Sequence, residues 1–276
     1  MTESSSDPTP AELLDLAVRV AIKAGDVLAS GDGRVAVAAT KSSPTDVVTE
    51  MDRRSEAVCV EEILASRPDD AILAEEGGQI GAGTSGVRWV IDPLDGTVNY
   101  LYGLPDWAVS IAAEVRGQVV AGVVHLPRRG ETFTATLGGG AWLASGPQAA
   151  PARLRARPEV ALAEALVATG FGYLAARRKV QGETVAALLP QVRDIRRGGS
   201  ASVDLCSVAA GRVDAYYERG LNHWDYAAGA LIAAEAGAVV GGLSGPISQS
   251  MAIAAPAALF TELSAALAAT RPERDE

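Results

Sequence analysis

Residues 89–100 read Trp-Val-Ile-Asp-Pro-Leu-Asp-Gly-Thr-Val-Asn-Tyr, or WVIDPLDGTVNY. An apolar run ends here in two carboxylates, Asp92 and Asp95, which are followed directly by Gly96-Thr97. RWVID is expected as a strand with Asp92 at its C-terminal end. Pro93 has no N–H with which to continue a ladder, so Asp95 is placed on the turn. Gly96-Thr97 then opens a helix whose free amides form an anion site. Neighbouring carboxylates repel one another unless a cation lies between them. Oxygen ligands without His or Cys suit Mg²⁺. An Asx-type turn that merely closes a strand explains DxxDGT alone equally well.

Outward from this stretch the chain has two rhythms. AILAE (71–75), RWVID (88–92), WAVSIAAEV (107–115), QVVAGVVHL (118–126) and ETFTATL (131–137) are strand-like. Arg116-Gly117 between two of them reads as a hairpin turn. Strands in succession without helices imply an antiparallel meander and an α+β first half. Two helices are expected before it, one from Pro10 ending at Gly31 and one over residues 46–66 closed by Pro68. Beyond Pro151 the pattern alternates. ALVATGF, RDIRR and VDAYYE read as strands, with helices at YLAARRKVQGETVAALL, SASVDLCSVAAG and WDYAAGALIAAEAGA, an α/β rhythm. The aperiodic SGPQAAPARLRARP is the expected seam, dividing an N-terminal half (9–148) from a C-terminal half (149–270) of one catalytic unit. Residues 1–8 are expected to be a disordered lead and Arg271–Glu276 a frayed tail.

Composition narrows the function. Of 276 residues, 48% are hydrophobic and 21% charged, with a net charge of −10, as in a globular protein. An acidic chain lacks the basic face that a nucleic-acid backbone needs. No apolar run reaches membrane-spanning length, and MTESSSDPTP has no signal-peptide pattern. Cys59 and Cys206 lie in apolar stretches without a CxxC partner, which predicts buried thiols in a reducing cytoplasm.

Further carboxylates fall in similar settings: Glu75 and Glu76 in AEEGG, Asp46 and Asp52 in PTDVVTEMD, and Asp225 in NHWDYAAG. With the Asp92/Asp95 stretch they make four acidic sites, and a helix N-terminal acid favoured by the dipole explains one of the four, not all. Together with RRGGSASVDLCSVAAGRVDAYYE, these segments resemble the inositol monophosphatase family, in particular its bacterial SuhB-like branch, from about residue 11 to 269. The resemblance implies a layered αβαβα sandwich and Mg²⁺-dependent hydrolysis of a phosphate monoester. It implies that Glu75, Asp92 and the Leu94 carbonyl bind one Mg²⁺, that Asp92, Asp95 and Asp225 bind a second, and that a weaker third lies near Glu75. Asp52 with Thr97 would polarise the attacking water. Gly96 and Thr97 amides would hold the phosphate, and Glu218 with Gly199, Ser200 and Ala201 would contact the substrate's hydroxyls.

Such chemistry needs no Ser, Cys or His nucleophile, because metal ions neutralise the phosphoryl oxygens and activate water. Only two histidines exist: His125 is expected to be structural, and His223 at most a support for Asp225. LGGGAWL lacks a dinucleotide-binding context and reads as a β-turn, while LRARP and ARRK read as solvated faces. The Ala-rich 227–236 segment reads as close helix packing. Ala74 replaces the family's usual Gly, Glu50 adds charge, AWLASG lacks a usual Asn, and Asn222 stands where animal relatives often have His. These departures bear on the substrate rim. The expected substrate is inositol 1-phosphate, a small phosphorylated polyol, with a homodimer, lithium sensitivity and a cytoplasmic location. Alternatives are histidinol phosphate, fructose 1,6-bisphosphate or 3′-phosphoadenosine nucleotides as substrate, or a non-enzymatic role as a partner of the transcription machinery.

Overall fold

The computed structural model describes residues 8–31, 37–40, 47–146, 149–158 and 160–274. Asp46 and residues 1–7 of the expected lead lie outside them. Helix α1 (Pro10–Ser30) begins where read, at a capping box in which Thr9 and Glu12 satisfy one another's amides, and Gly31 caps its end. Strands β1 (Val37–Thr40) and β2 (Val47–Thr49) pair antiparallel. The second helix is shorter than expected: α2 spans Glu50–Ser66. Val47, Val48 and Thr49 are β-branched and favour the strand, and the Thr49 hydroxyl accepts from the Met51 and Asp52 amides to start the helix.

The meander follows: β3 (Ala71–Ala74), β4 (Gly78–Ile80), β5 (Val87–Asp95), the short helix α3 (Thr97–Leu101), β6 (Ala108–Val115), β7 (Gln118–Leu126), β8 (Glu131–Thr136), β9 (Gly140–Ser145) and β10 (Ala152–Arg153). They form one sheet in the order β10-β9-β8-β7-β6-β5-β3-β4, antiparallel except for β3 beside β5. Arg116 and Gly117 both take positive φ, 53° and 83°, the backbone that a two-residue hairpin requires. Strand β5 corrects one expectation, since it continues through Pro93 and ends at Asp95. Asp92 pairs with Ser110 and Asp95 with Ala108, so three steps on β5 oppose two on β6. This bulge accommodates the proline. It also turns two residues that strict alternation would send to opposite faces toward the same side.

The second half contributes β11 (Leu166–Thr169), α4 (Ala175–Leu188), β12 (Asp194–Arg196), α5 (Ala201–Ala209), β13 (Ala215–Glu218), α6 (His223–Glu235), β14 (Val239–Gly241), β15 (Ala252–Ala255) and α7 (Ala257–Thr270). Its sheet runs β12-β11-β13-β15-β14, with β11 parallel to β12 and β13, and β15 antiparallel to its neighbours.

Four buried clusters define five layers. Leu13, Val20 and Leu28 of α1 and Cys59 and Ile63 of α2 cover the Trp89, Ile91 and Ile111 face of the first sheet. Its opposite face, with Val90, Ala112, Val124 and Phe133, packs on Cys206 of α5 and Ala228 and Ile232 of α6. Leu205 and Val208 of α5 then meet Tyr216 and Ala254 of the second sheet, whose outer face is covered by Leu188 of α4 and Leu259, Leu263 and Leu267 of α7. The molecule is the expected αβαβα sandwich. Small residues make the middle layer possible: a Cβ on Gly229 of α6 would lie 2.9 Å from the Leu205 Cβ on α5. Cys59 and Cys206 are buried free thiols. Residues 271–274 depart from the expected fraying, because Arg219 donates to the Pro272 and Arg274 carbonyls and Arg274 pairs with Glu183. Among the described residues, no helix is long and apolar enough to cross a membrane.

Candidate active site

A cleft of about 430 Å³ opens where β5 ends. Glu75, Asp92, Leu94, Asp95, Gly96 and Thr97 reach it from the first sheet. The second half supplies Gly199, Ser200, Ala201, Glu218 and Asp225. Asp52 does not line the cleft; it is buried behind Thr97, whose hydroxyl donates 3.1 Å to Asp52 Oδ1 and 3.1 Å to the Leu94 carbonyl. Position N3 of α2 fixes Asp52, which accepts from the Thr49 amide at 2.8 Å. Ser55, one turn along α2, donates to the Pro93 carbonyl at 2.8 Å and so holds the bulge against the helix.

Each carboxylate is oriented by its local structure. Leu94 N donates 3.1 Å to Asp92 Oδ1 across the bulge. Asp95 Oδ2 accepts from the Ser200 hydroxyl (2.6 Å), the Ser202 amide (2.7 Å) and the Ser202 hydroxyl (2.6 Å) at the start of α5. Asp225, at N3 of α6, accepts from Asn222 N at 2.6 Å, so this residue is a helix-capping acid and a cleft acid at once. Gly96 adopts φ 91°, and a Cβ there would lie 2.8 Å from the Asp106 carbonyl; the turn needs glycine on both counts.

The electrostatics match the donor chemistry. Burial pushes Asp92, Asp95 and Asp225 above the ordinary carboxylate range. Glu75 raises both Asp92 and Asp225 further by repulsion, and it also hydrogen-bonds Asp92. Two carboxyl groups in such contact need a proton or a cation between them. With only oxygen donors in reach, Mg²⁺ is the fitting cation. Among the described residues, no three acidic, His or Cys side chains are gathered into a ready-made cage; Ser200 and Ser202 hold Asp95, and the Asn222 amide holds Asp225.

Several site features escaped sequence reading. Ser202 reaches Asp95 from 107 positions away, a contact carrying no local signal. Arg177 and Arg197 line the cleft, so the ARRK run is not wholly a solvated face. Asn99 donates to the Asp106 and Gly198 carbonyls at 2.6 and 2.9 Å, tying α3 to the loop before α5. The histidines stand away from the chemistry as expected: His125 bonds Thr132 at 2.9 Å, and His223 bonds Glu114 at 2.6 Å.

The layered sandwich with acids converging at a bulged strand end is a fold of the sugar-phosphatase type. The model of the inositol monophosphatase family matches residues 9–274, and the chain belongs to that family. It is 50% identical over 215 residues to inositol-1-monophosphatase SuhB of Mycobacterium tuberculosis, covering 76% of this chain and 73% of that protein. It is 42% identical over 235 residues to Escherichia coli Nus factor SuhB, covering 84% and 86%. The solved structure of Mycobacterium tuberculosis SuhB matches with a TM-score of 0.82 and 41% identity over 97% of this chain and 100% of that one. Thermotoga maritima IMPase matches at 0.84 and 33% over 95% and 99%. Family membership supports phosphatase activity for this chain.

Proposed function

We propose that the protein is a Mg²⁺-dependent phosphomonoesterase acting on inositol 1-phosphate, releasing inositol and phosphate. The observation that carries this reading is the set of buried, mutually repelling carboxylates at the β5 bulge, beside a hydroxyl–carboxylate pair. Two to three Mg²⁺, held by Glu75, Asp92, the Leu94 carbonyl, Asp95 and Asp225, would neutralise the phosphoryl oxygens and lower the pKa of the attacking water. Thr97, with its proton committed to Asp52 and Leu94, has lone pairs left to orient that water. Gly96 and Thr97 amides receive the phosphoryl oxygens at the start of α3. Glu218 and the Gly199–Ala201 segment contact the polyol hydroxyls, and Tyr216 orients Glu218 through a 2.7 Å bond. The assignment carries with it a cytoplasmic homodimer inhibited by lithium.

Phosphate release should be measured with and without Mg²⁺ on inositol 1-phosphate, histidinol phosphate, fructose 1,6-bisphosphate and 3′-phosphoadenosine 5′-phosphate. A kcat/KM lead for inositol 1-phosphate that is lost in EDTA supports the assignment; a lead for another member reassigns the substrate. The name Nus factor borne by the Escherichia coli relative favours a second reading, partnership with the transcription machinery. Retention of transcription-complex binding in a protein without turnover on any panel member would select it.

A further inference from the structure

Helix α6 carries Asp225 to the cleft from the second half of the chain. Its contact with the first sheet is smooth: Ala227, Ala228, Leu231 and Ile232 pack there, and a Cβ on Gly122 of β7 would lie 3.1 Å from the Ala228 Cα. Apolar contact has no direction, so it sets how near the helix lies. Its place along its own axis falls to polar groups at its two ends. At the C-terminal end, Glu235 accepts from the Gly138 and Gly140 amides at 2.7 and 2.8 Å.

At the N-terminal end stands a chain of three side chains. Arg88 of β5 and Glu114 of β6 are cross-strand partners. By alternation they share the sheet face of Val90 and Ala112, on which α6 packs. Arg88 Nε donates to Glu114 Oε2, and His223 Nε2 bonds Glu114 Oε1, both at 2.6 Å. Glu114 is 2% exposed. Burial pushes its carboxyl up, yet the hydrogen bonds from His223 and Arg88 and the Arg88 charge outweigh burial and hold it below its ordinary value. An ionised carboxylate only accepts, so His223 Nε2 carries a proton and donates it. His223 is the first residue of α6, and its ring stands edge-on to Tyr226, 5.1 Å between centroids. None of the three lines the cleft. Asp95 is clasped across the two halves by Ser200 and Ser202, whereas the Asn222 amide that holds Asp225 belongs to the same turn. Asp225 therefore goes where the start of α6 goes.

Resting on the Mg²⁺ site proposed above, we propose that Glu114 and His223 are positioning residues for Asp225. The Arg88–Glu114–His223 chain locks the first turn of α6 to β6 and so sets the reach of Asp225 toward the cation it would share with Asp92 and Asp95. Mg²⁺ demands near-ideal octahedral oxygens, so a small slip of the helix weakens its hold.

The test titrates Mg²⁺ into the full-length protein with two readouts: Tm without substrate, and phosphate release from β-glycerophosphate. His223→Ala leaves the Asn222 cap in place, and Glu114→Leu puts an apolar group of similar size where the carboxylate was. Both should raise the Mg²⁺ concentration at half-maximal Tm gain by about tenfold, the lower end of what groups supporting a metal ligand are worth. Half-saturation of turnover by Mg²⁺ should move with it, while the substrate KM at saturating Mg²⁺ stays unchanged. Glu114→Gln, which can still bond both neighbours, should recover most of the loss. Variants that lose Tm in EDTA yet respond to Mg²⁺ as wild type does would overturn the proposal and leave the chain a structural clamp. A raised substrate KM that persists at saturating Mg²⁺ would also overturn it. A wild-type protein whose Tm and turnover both ignore Mg²⁺ would overturn the phosphomonoesterase reading, and this inference with it.

Discussion

Asp95 closes the ladder of β5 and receives three hydrogen bonds from α5, so it is fixed whether or not a cation is near. Asp95→Asn keeps the shape and loses the charge. Turnover should fall at least roughly a thousandfold, the several kcal/mol that cation-assisted charge stabilisation supplies, with an unchanged circular dichroism spectrum. Full activity would remove Asp95 from the site. Glu218 makes a prediction in pH. Its carboxyl is raised from 4.5 to about 7, chiefly by burial. A raised carboxyl stabilises the fold fully below its unfolded value, and that contribution is lost as pH climbs through the folded one. In EDTA, Glu218→Gln, which cannot ionise, should therefore gain in Tm relative to wild type between about pH 4.5 and 7. A pH-independent difference would contradict the burial. These acids were legible because motif and spacing are local. Ser202 and Arg177 were not, because their roles depend on which distant backbone faces them.

At the scale of elements, α2 shows how a cap serves chemistry. Thr49 starts the helix and its amide holds Asp52, which in turn holds Thr97. Thr49→Ala should cost about 1 kcal/mol in urea unfolding, as lost N-caps do. It should also lower kcat more than it raises KM, because Asp52 loses the hydrogen bond that the Thr49 hydroxyl donates to it. A stability loss with unaltered kcat would separate the cap from the water-polarising pair. The hairpin strands and α1 were readable from period and turn residues. The true start of α2 was obscured by a stripe continuing across Val48, although the β-branched run marked it. Strands β14 and β15 and helix α7 went unread. Their segments are short or Ala-rich, and alanine marks neither a core face nor a strand.

At the scale of the molecule, the central layer of α5 and α6 belongs to both halves. Its residues complete the inner core of each sheet, and its N-terminal segments hold Asp95 and carry Asp225. Family membership accounts for the five layers being foreseeable from the sequence. The packing partners of each layer were not, since they join residues on average far apart in the chain.

The β5 bulge and its clasp by Ser200 and Ser202 bear on how activity is acquired during folding. Native pairing of Asp95 closes a loop of 107 residues, a slow, non-local event compared with helix formation or hairpin closure. Refolding from urea should therefore restore far-ultraviolet dichroism well before phosphate release. Ser202→Ala should widen that interval, because the nascent sheet waits longer for the middle helices to dock. Simultaneous recovery of both signals would mean that the halves assemble in one step. A delay of that kind would keep the acids of the two halves apart until late in folding, so that partly folded molecules would lack an assembled hydrolytic centre.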